Sequence, residues 1–197
     1  IQTEVINELA KLCGEEIEKS VTQITHQAME GKIDFDESLK QRVSLLKGFP
    51  TEKLDDVCNK LLLTPGTEDF IKTVKKLGFK LAVISGGFTI FTDFLKSKLN
   101  LDYAFANELE IKDNKLTGKL SGPIINSERK AMLLEMITQQ ESISLEQVVA
   151  IGDGANDLPM LKKAGLGIAF HAKEVVKDEA DQRLSYGPMT SILYFLG

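Results

Sequence analysis

The sequence predicts an α/β protein in which a parallel-sheet core, covered by helices, follows an N-terminal helical bundle. Three observations predict it. Up to about residue 63 the apolar residues recur at helical spacing. After Thr64, Pro65 and Gly66, short β-branched runs alternate with helical ones, which is the pattern of strand-helix-strand units. Two of those runs end in small polar loops, Ser85-Gly86-Gly87 and Gly152-Asp153-Gly154, and open α/β sheets bind ligands beyond the carboxyl ends of their strands.

In chain order, Val5, Ile6, Leu9, Ala10, Leu12 and Cys13 make one apolar helix stripe. Val21, Ile24 and Ala28 make a second, and Leu39, Val43, Leu45 and Leu46 a third. Gly14, Gly31 and the Gly48-Phe49-Pro50 step punctuate them. Beyond Gly66, helices are expected at 68–77, 88–99, 128–139, 158–164 and 173–178, and strands at 80–84, 103–106, 148–151 and 167–170. Segments 109–112 and 115–118 flank Asp113-Asn114 and read as a surface hairpin. The expected division is a helical domain over 1–63 and a sheet domain over 64–197.

Composition narrows the classes. A net charge of −5 with scattered lysines offers no basic stripe for nucleic acid. No apolar run approaches the ~18–20 residues of a membrane span, so no membrane partner is expected. Cys13 and Cys58 fit no zinc or redox spacing and read as two reduced thiols of a cytoplasmic protein. Oligomeric state is left open, a homodimer included.

The richest stretch runs from Val148 to Met160. Its short strand stops at a flexible acidic turn and restarts as a helix. Asp153 and Asp157 would both face the strand end, where two carboxylates repel unless a hard cation such as Mg²⁺ lies between them. Asn156 and Asp157 fall at the helix start, where free N–H groups favour anions. Gly-Asp-Gly alone is a common turn. In the second stretch Ser85 can donate its hydroxyl to a phosphoryl oxygen, and Gly86 and Gly87 let backbone amides come close. Lys130, early in the helix before the acidic turn, can neutralise phosphate and keep carboxylates ionised. Read by itself it is a solvated helix lysine.

Taken in order and spacing, Ser85, Lys130 and the Asp153/Asp157 pair resemble the second, third and fourth motifs of the haloacid dehalogenase superfamily of phosphotransferases. The resemblance runs through most of the chain and is strongest to the branch that hydrolyses L-phosphoserine, the last step of serine biosynthesis. It implies a Rossmann-like core of haloacid dehalogenase type with the first 63 residues as a helical cap. It also implies a Mg²⁺-dependent phosphatase working through an aspartyl-phosphate. Ser85, Lys130 and Asp157 would be catalytic, with Asp153 on the metal and Asp157 a direct ligand or the group that orients metal-bound water. Ser85, Gly86, Lys130 and Asn156 would contact phosphate. In the cap, Glu4 would meet the substrate ammonium, Arg42 its carboxylate, and Met29 and Phe35 would form an apolar wall. Without the resemblance, Met29 and Phe35 read as core, and Glu4 and Arg42 as surface charges.

The superfamily's first motif, Asp-x-Asp-x-Thr, carries the nucleophile and general acid and does not precede the cap here. The expectation is that it lies before Ile1, on a central strand between the strands ending at Ser85 and Asp153, which would then sit roughly 9–10 Å apart. Two alternatives stand beside the phosphoserine reading. One is a phosphatase or phosphotransferase for another small phosphomonoester; the other is a nucleophile-less module that binds phospholigands. His26 and His171 lie outside the motifs and read as solvated or structural, and Lys72, Lys75 and Lys76 as a solvated face.

Overall fold

The computed structural model describes residues 4–196. It forms two compact units, each assembled from two stretches of chain. One is the segment up to Thr64 with Lys80–Ile124, and the other is Pro65–Phe79 with everything from Ile125 onward. The expected boundary at 63/64 falls one residue from a crossing between them, and the chain crosses again after Phe79 and after Ile124.

The first unit begins with α1 (Val5–Cys13), α2 (Glu15–Met29) and α3 (Phe35–Ser44), followed by the short α4 (Leu54–Lys60). The α1 stripe is buried at Val5, Ile6, Leu9 and Ala10, as its spacing predicts, whereas Leu12, expected in the same stripe, is 45% exposed and Cys13 is half-buried. Glu15, Glu16 and Glu18 open α2, where negative charge suits the helix dipole. Asp34 caps α3 by accepting the Glu37 N–H at 2.8 Å. These helices do not form a bundle closed on itself. Leu9, Val21, Leu39, Val43 and Leu46 share one core with Phe88, Phe91, Leu109 and Leu116 from the sheet segment.

That sheet is ordered β1 (Ala82–Phe88), β2 (Tyr103–Lys112), β3 (Lys115–Ser121), with α6 (Thr89–Leu99) linking the first two. Two differences from expectation matter. The strand expected to stop before Ser85 continues through Ser-Gly-Gly to Phe88. The strand at 103–106 and the first hairpin arm fuse into one ten-residue strand. Asn107, a residue common in turns, does not stop the strand because its side chain is tied to the carbonyls of Gly86 and Gly87 on β1, and β2 pairs parallel with β1 early on and antiparallel with β3 later. The Asp113-Asn114 turn is as expected, both residues having the positive φ, 52° and 57°, of a tight hairpin.

The second unit holds α5 (Thr67–Lys76), α7 (Ser127–Gln140), α8 (Leu158–Lys163), α9 (Glu174–Glu179) and a parallel sheet β4 (Val149–Gly152), β5 (Leu166–Phe170), β6 (Gln182–Leu184). β5 is central and buried from Gly167 through Phe170. Gly167 lies so close to α8 that a Cβ there would come 2.6 Å from the Leu161 carbonyl oxygen, which requires glycine. The polar β6 carries no strand signal in sequence, and Asp181 just before it accepts the Gly167 N–H at 2.7 Å. β1 and β4, expected to flank a strand before Ile1, do not pair with each other, and each stands at the edge of a separate three-stranded sheet. β1 is half-buried from Val83 to Gly87, with Ala82 exposed and Phe88 buried.

Among the described residues no helix is long and apolar enough to cross a membrane. Both thiols are free. Burial, aided by Asp55, pushes the Cys58 thiol up to about 11, so it stays protonated and unreactive near neutrality.

Candidate active site

The chemistry-bearing residues gather in three places. The first is the acidic turn after β4. A 3-10 turn, Ala155–Asp157, follows Gly154 and leads into α8, whose first turn carries Pro159, a residue suited to a helix start. Asp157 does not face outward beside Asp153. It folds back and is 6% exposed, its Oδ2 accepting the N–H groups of both Asp153 and Gly154 at 3.1 Å. Its Oδ1 accepts from Lys130 Nζ at 2.7 Å, and Lys130 is 5% exposed. The inward turn has two causes. The Lys130 ammonium draws the carboxylate into the interior, and Gly152 leaves room for it, since a Cβ there would lie 2.6 Å from Asp157 Cβ.

A charge pair removed this far from water depends on each partner having the other. Lys130 is held on α7, whose first turn is capped by Asn126 accepting the Arg129 N–H. Asp153 stays exposed, its backbone fixed by Asp157 on one side and by the Lys173 N–H to its carbonyl at 3.2 Å on the other. The turn thus presents one outward carboxylate, Asp153, on a frame made by a second. Asn156 is half-buried in the same turn.

The second place is the Ser85 loop. β1 advances from Ile84 to Phe88 while β2 advances only from Phe105 to Asn107, so Ser85, Gly86 and Gly87 bulge from the ladder. The Gly87 N–H donates to Ser85 Oγ at 3.0 Å. The amide of Asn107, 1% exposed, donates to the carbonyls of Gly86 and Gly87 at 2.8 and 3.1 Å. Asn107 is the site residue that sequence reading missed. Its only signal is a polar residue placed directly after the apolar run 103–106.

The third place lies on α1 and α3. Arg42, 7% exposed, sets its Nη1 3.7 Å from Glu4 Oε2 and 3.4 Å from Thr25 Oγ1, and its Nε donates to the Ser38 carbonyl at 3.3 Å. Burial lowers the guanidinium pKa and Glu4 opposes that shift. All three contacts are long, so this cation is held in place without being fully satisfied. Met29 is 61% exposed, and Phe35 packs at the margin of the core. Neither histidine joins a site: His26 lies 3.9 Å from Glu30 on the exposed face of α2, and His171 stacks on Phe170.

The family model of the haloacid dehalogenase-like hydrolases matches residues 9–162, spanning the helical segment and all three motif regions. The chain belongs to that family. Among haloacid dehalogenase-like proteins it is similar to the phosphoserine phosphatase of Methanocaldococcus jannaschii, 46% identical over 196 residues, 100% of this chain and 92% of that protein. It is 50% identical over 185 residues to the phosphoserine phosphatase of Archaeoglobus fulgidus, covering 94% of this chain. The chain spans only 53% of that relative's length. A substrate-bound phosphoserine phosphatase complex superposes with a TM-score of 0.90 at 46% identity, over 98% of this chain and 91% of the other.

Proposed function

We propose that this chain carries the phosphate-binding, cation-binding and substrate-gripping parts of a phosphatase that hydrolyses L-phosphoserine. The observation that carries the reading is the buried Lys130–Asp157 pair, which fixes a turn presenting Asp153 outward. In a member of this family such a turn serves a phosphoryl group and the cation that accompanies it. The likeness to phosphoserine phosphatases supports the choice of substrate.

The donor set fits Mg²⁺. No cluster of three His, Cys, Asp or Glu among the described residues could hold an ion by itself. Mg²⁺ commonly takes one or two carboxylates, keeps several waters and completes its shell with substrate phosphate. Asp153 would supply such a carboxylate, and Asp157, with both oxygens already engaged, would act by holding the turn. When bound, the cation would neutralise charge on the transferring phosphoryl group. Ser85 donates its hydroxyl to a phosphoryl oxygen, the Gly86 amide comes alongside, and Asn156 meets the phosphate from the acidic turn. Lys130 adds positive charge near that group. Residues 1–63 act as the cap over a 64–197 core, with Glu4 taking the ammonium and Arg42 the carboxylate. A carboxylate oxygen of the first family motif attacks phosphorus, the P–O bond to serine breaks, and the general acid of the same motif protonates the departing serine oxygen. Water then attacks the phosphorus of the aspartyl-phosphate, releasing phosphate and restoring the carboxylate.

The full-length protein is expected to release phosphate from L-phosphoserine with Mg²⁺, to stop in EDTA and to resume when Mg²⁺ is returned in excess. Undiminished turnover in chelator overturns the cation role. Phosphate binding without any release favours a binding module instead. Arg42→Ala is expected to lower kcat/KM for phosphoserine by roughly tenfold to a hundredfold, the worth of a charge-assisted hydrogen-bond pair of about 1.5–3 kcal/mol. A phosphomonoester without a carboxylate should lose much less. Equal losses on both would make Arg42 a structural residue.

A further inference from the structure

We infer that Asn107 is the positioning residue of the phosphate cradle, setting the orientation of the Ser85 hydroxyl through the Gly86–Gly87 peptide; this rests on the reading of Ser85 as a phosphate donor. The bulge between Ile84 and Phe88 frees the carbonyls of Gly86 and Gly87 from ladder pairing. Carbonyls buried without partners are costly, and the Asn107 amide takes both, at 2.8 and 3.1 Å.

The consequence follows from peptide geometry. No described peptide bond is cis, and a trans peptide holds its C=O and N–H on opposite sides of one plane. Anchoring the Gly86 carbonyl to Asn107 therefore aims the Gly87 N–H away from Asn107. There it meets Ser85 Oγ at 3.0 Å. That bond occupies a lone pair of the hydroxyl oxygen and leaves its proton to be donated elsewhere. A side chain on β2 thus decides which way a hydroxyl on β1 can donate. Asn107 is suited to this: it is 1% exposed, and a carboxamide can give one hydrogen to each of two carbonyls. A carboxylate of the same shape would repel both.

The test is a double-mutant cycle in the full-length protein, comparing Asn107→Ala, Ser85→Ala and the pair, with L-phosphoserine as substrate. Asn107→Ala is expected to lower kcat by roughly tenfold to a hundredfold, as misplacing a reacting group does. In the Ser85→Ala background it should cost less than about twofold, because its effect runs through a hydroxyl already gone. The same factor in both backgrounds overturns the inference, as does no loss in the first. If Asn107→Ala does not fold, the near-isosteric Asn107→Asp is carried through the same cycle with the same expectations. Hydrogen exchange at the Gly87 amide gives a reading independent of turnover. Exchange should quicken about tenfold or more in either variant once the peptide loses its anchor, and unchanged exchange overturns the inference. A wild-type protein that releases no phosphate would strike the functional reading and leave the exchange result standing.

Discussion

Lys130→Ala is expected to destabilise the protein by about 3–5 kcal/mol, the cost of leaving a buried charge without its counterion. Lys130 and Asp157 are 5% and 6% exposed and meet at 2.7 Å, so water cannot replace the lost ammonium without opening the turn. The loss should extend to function. Asp157 holds the Asp153 and Gly154 amides, and a carboxylate that swings outward releases both. Urea unfolding gives the first quantity and phosphate release from phosphoserine the second. A midpoint shift worth under about 1 kcal/mol would mean that Asp157 is solvated in the folded protein, contrary to the burial seen here.

Gly152→Ala should be almost as damaging to turnover. The new methyl would lie 2.6 Å from Asp157 Cβ and 2.9 Å from both Cγ and Oδ2. The near atom belongs to the root of a side chain locked by three hydrogen bonds, so the carboxylate itself must move. Overpacking of this kind typically costs about 1–3 kcal/mol, and displacing a reacting constellation by about 1 Å can reduce kcat by roughly a hundredfold. Gly154→Ala is the control. There a Cβ collides with Asn156 Oδ1, the movable end of a side chain, and a smaller loss is expected. If the two alanines behave alike, the close approach of Asp157 to Gly152 is not what matters.

Much of this was readable in the chain before any coordinates. The stripe Val5, Ile6, Leu9 and Ala10 faces inward as its spacing requires, and Asp113-Asn114 makes its hairpin turn. These signals are local, and local geometry satisfies them. Lys130 was legible only through its order relative to Ser85 and Asp153, because nothing in a helix position says that its ammonium will be buried. The inward fold of Asp157 could not be read either. It depends on a partner 27 positions away and on the missing side chain of Gly152. The same holds for Asn107, whose partners are two carbonyls on another strand, and for Asp181, which binds the backbone of β5. Groups that serve the backbone of a distant element leave no periodic trace. β6 failed for another reason: three residues, two of them exposed and polar, are too few to show an alternation.

The shared core of α1, α2 and α3 with Phe88, Phe91, Leu109 and Leu116 also sets a timetable. These helices leave the ribosome before the sheet segment, yet the residues that share a core with Leu9, Val21 and Val43 arrive with β1, α6 and the β2–β3 hairpin. Roughly sixty further residues must be made between the end of α4 and the end of β3, which at about 5–20 residues per second takes some 3–12 s. During that interval the nascent helical segment carries an uncovered apolar face. Synthesis of the hairpin, more than the completion of any one helix, marks the moment at which the first unit can close.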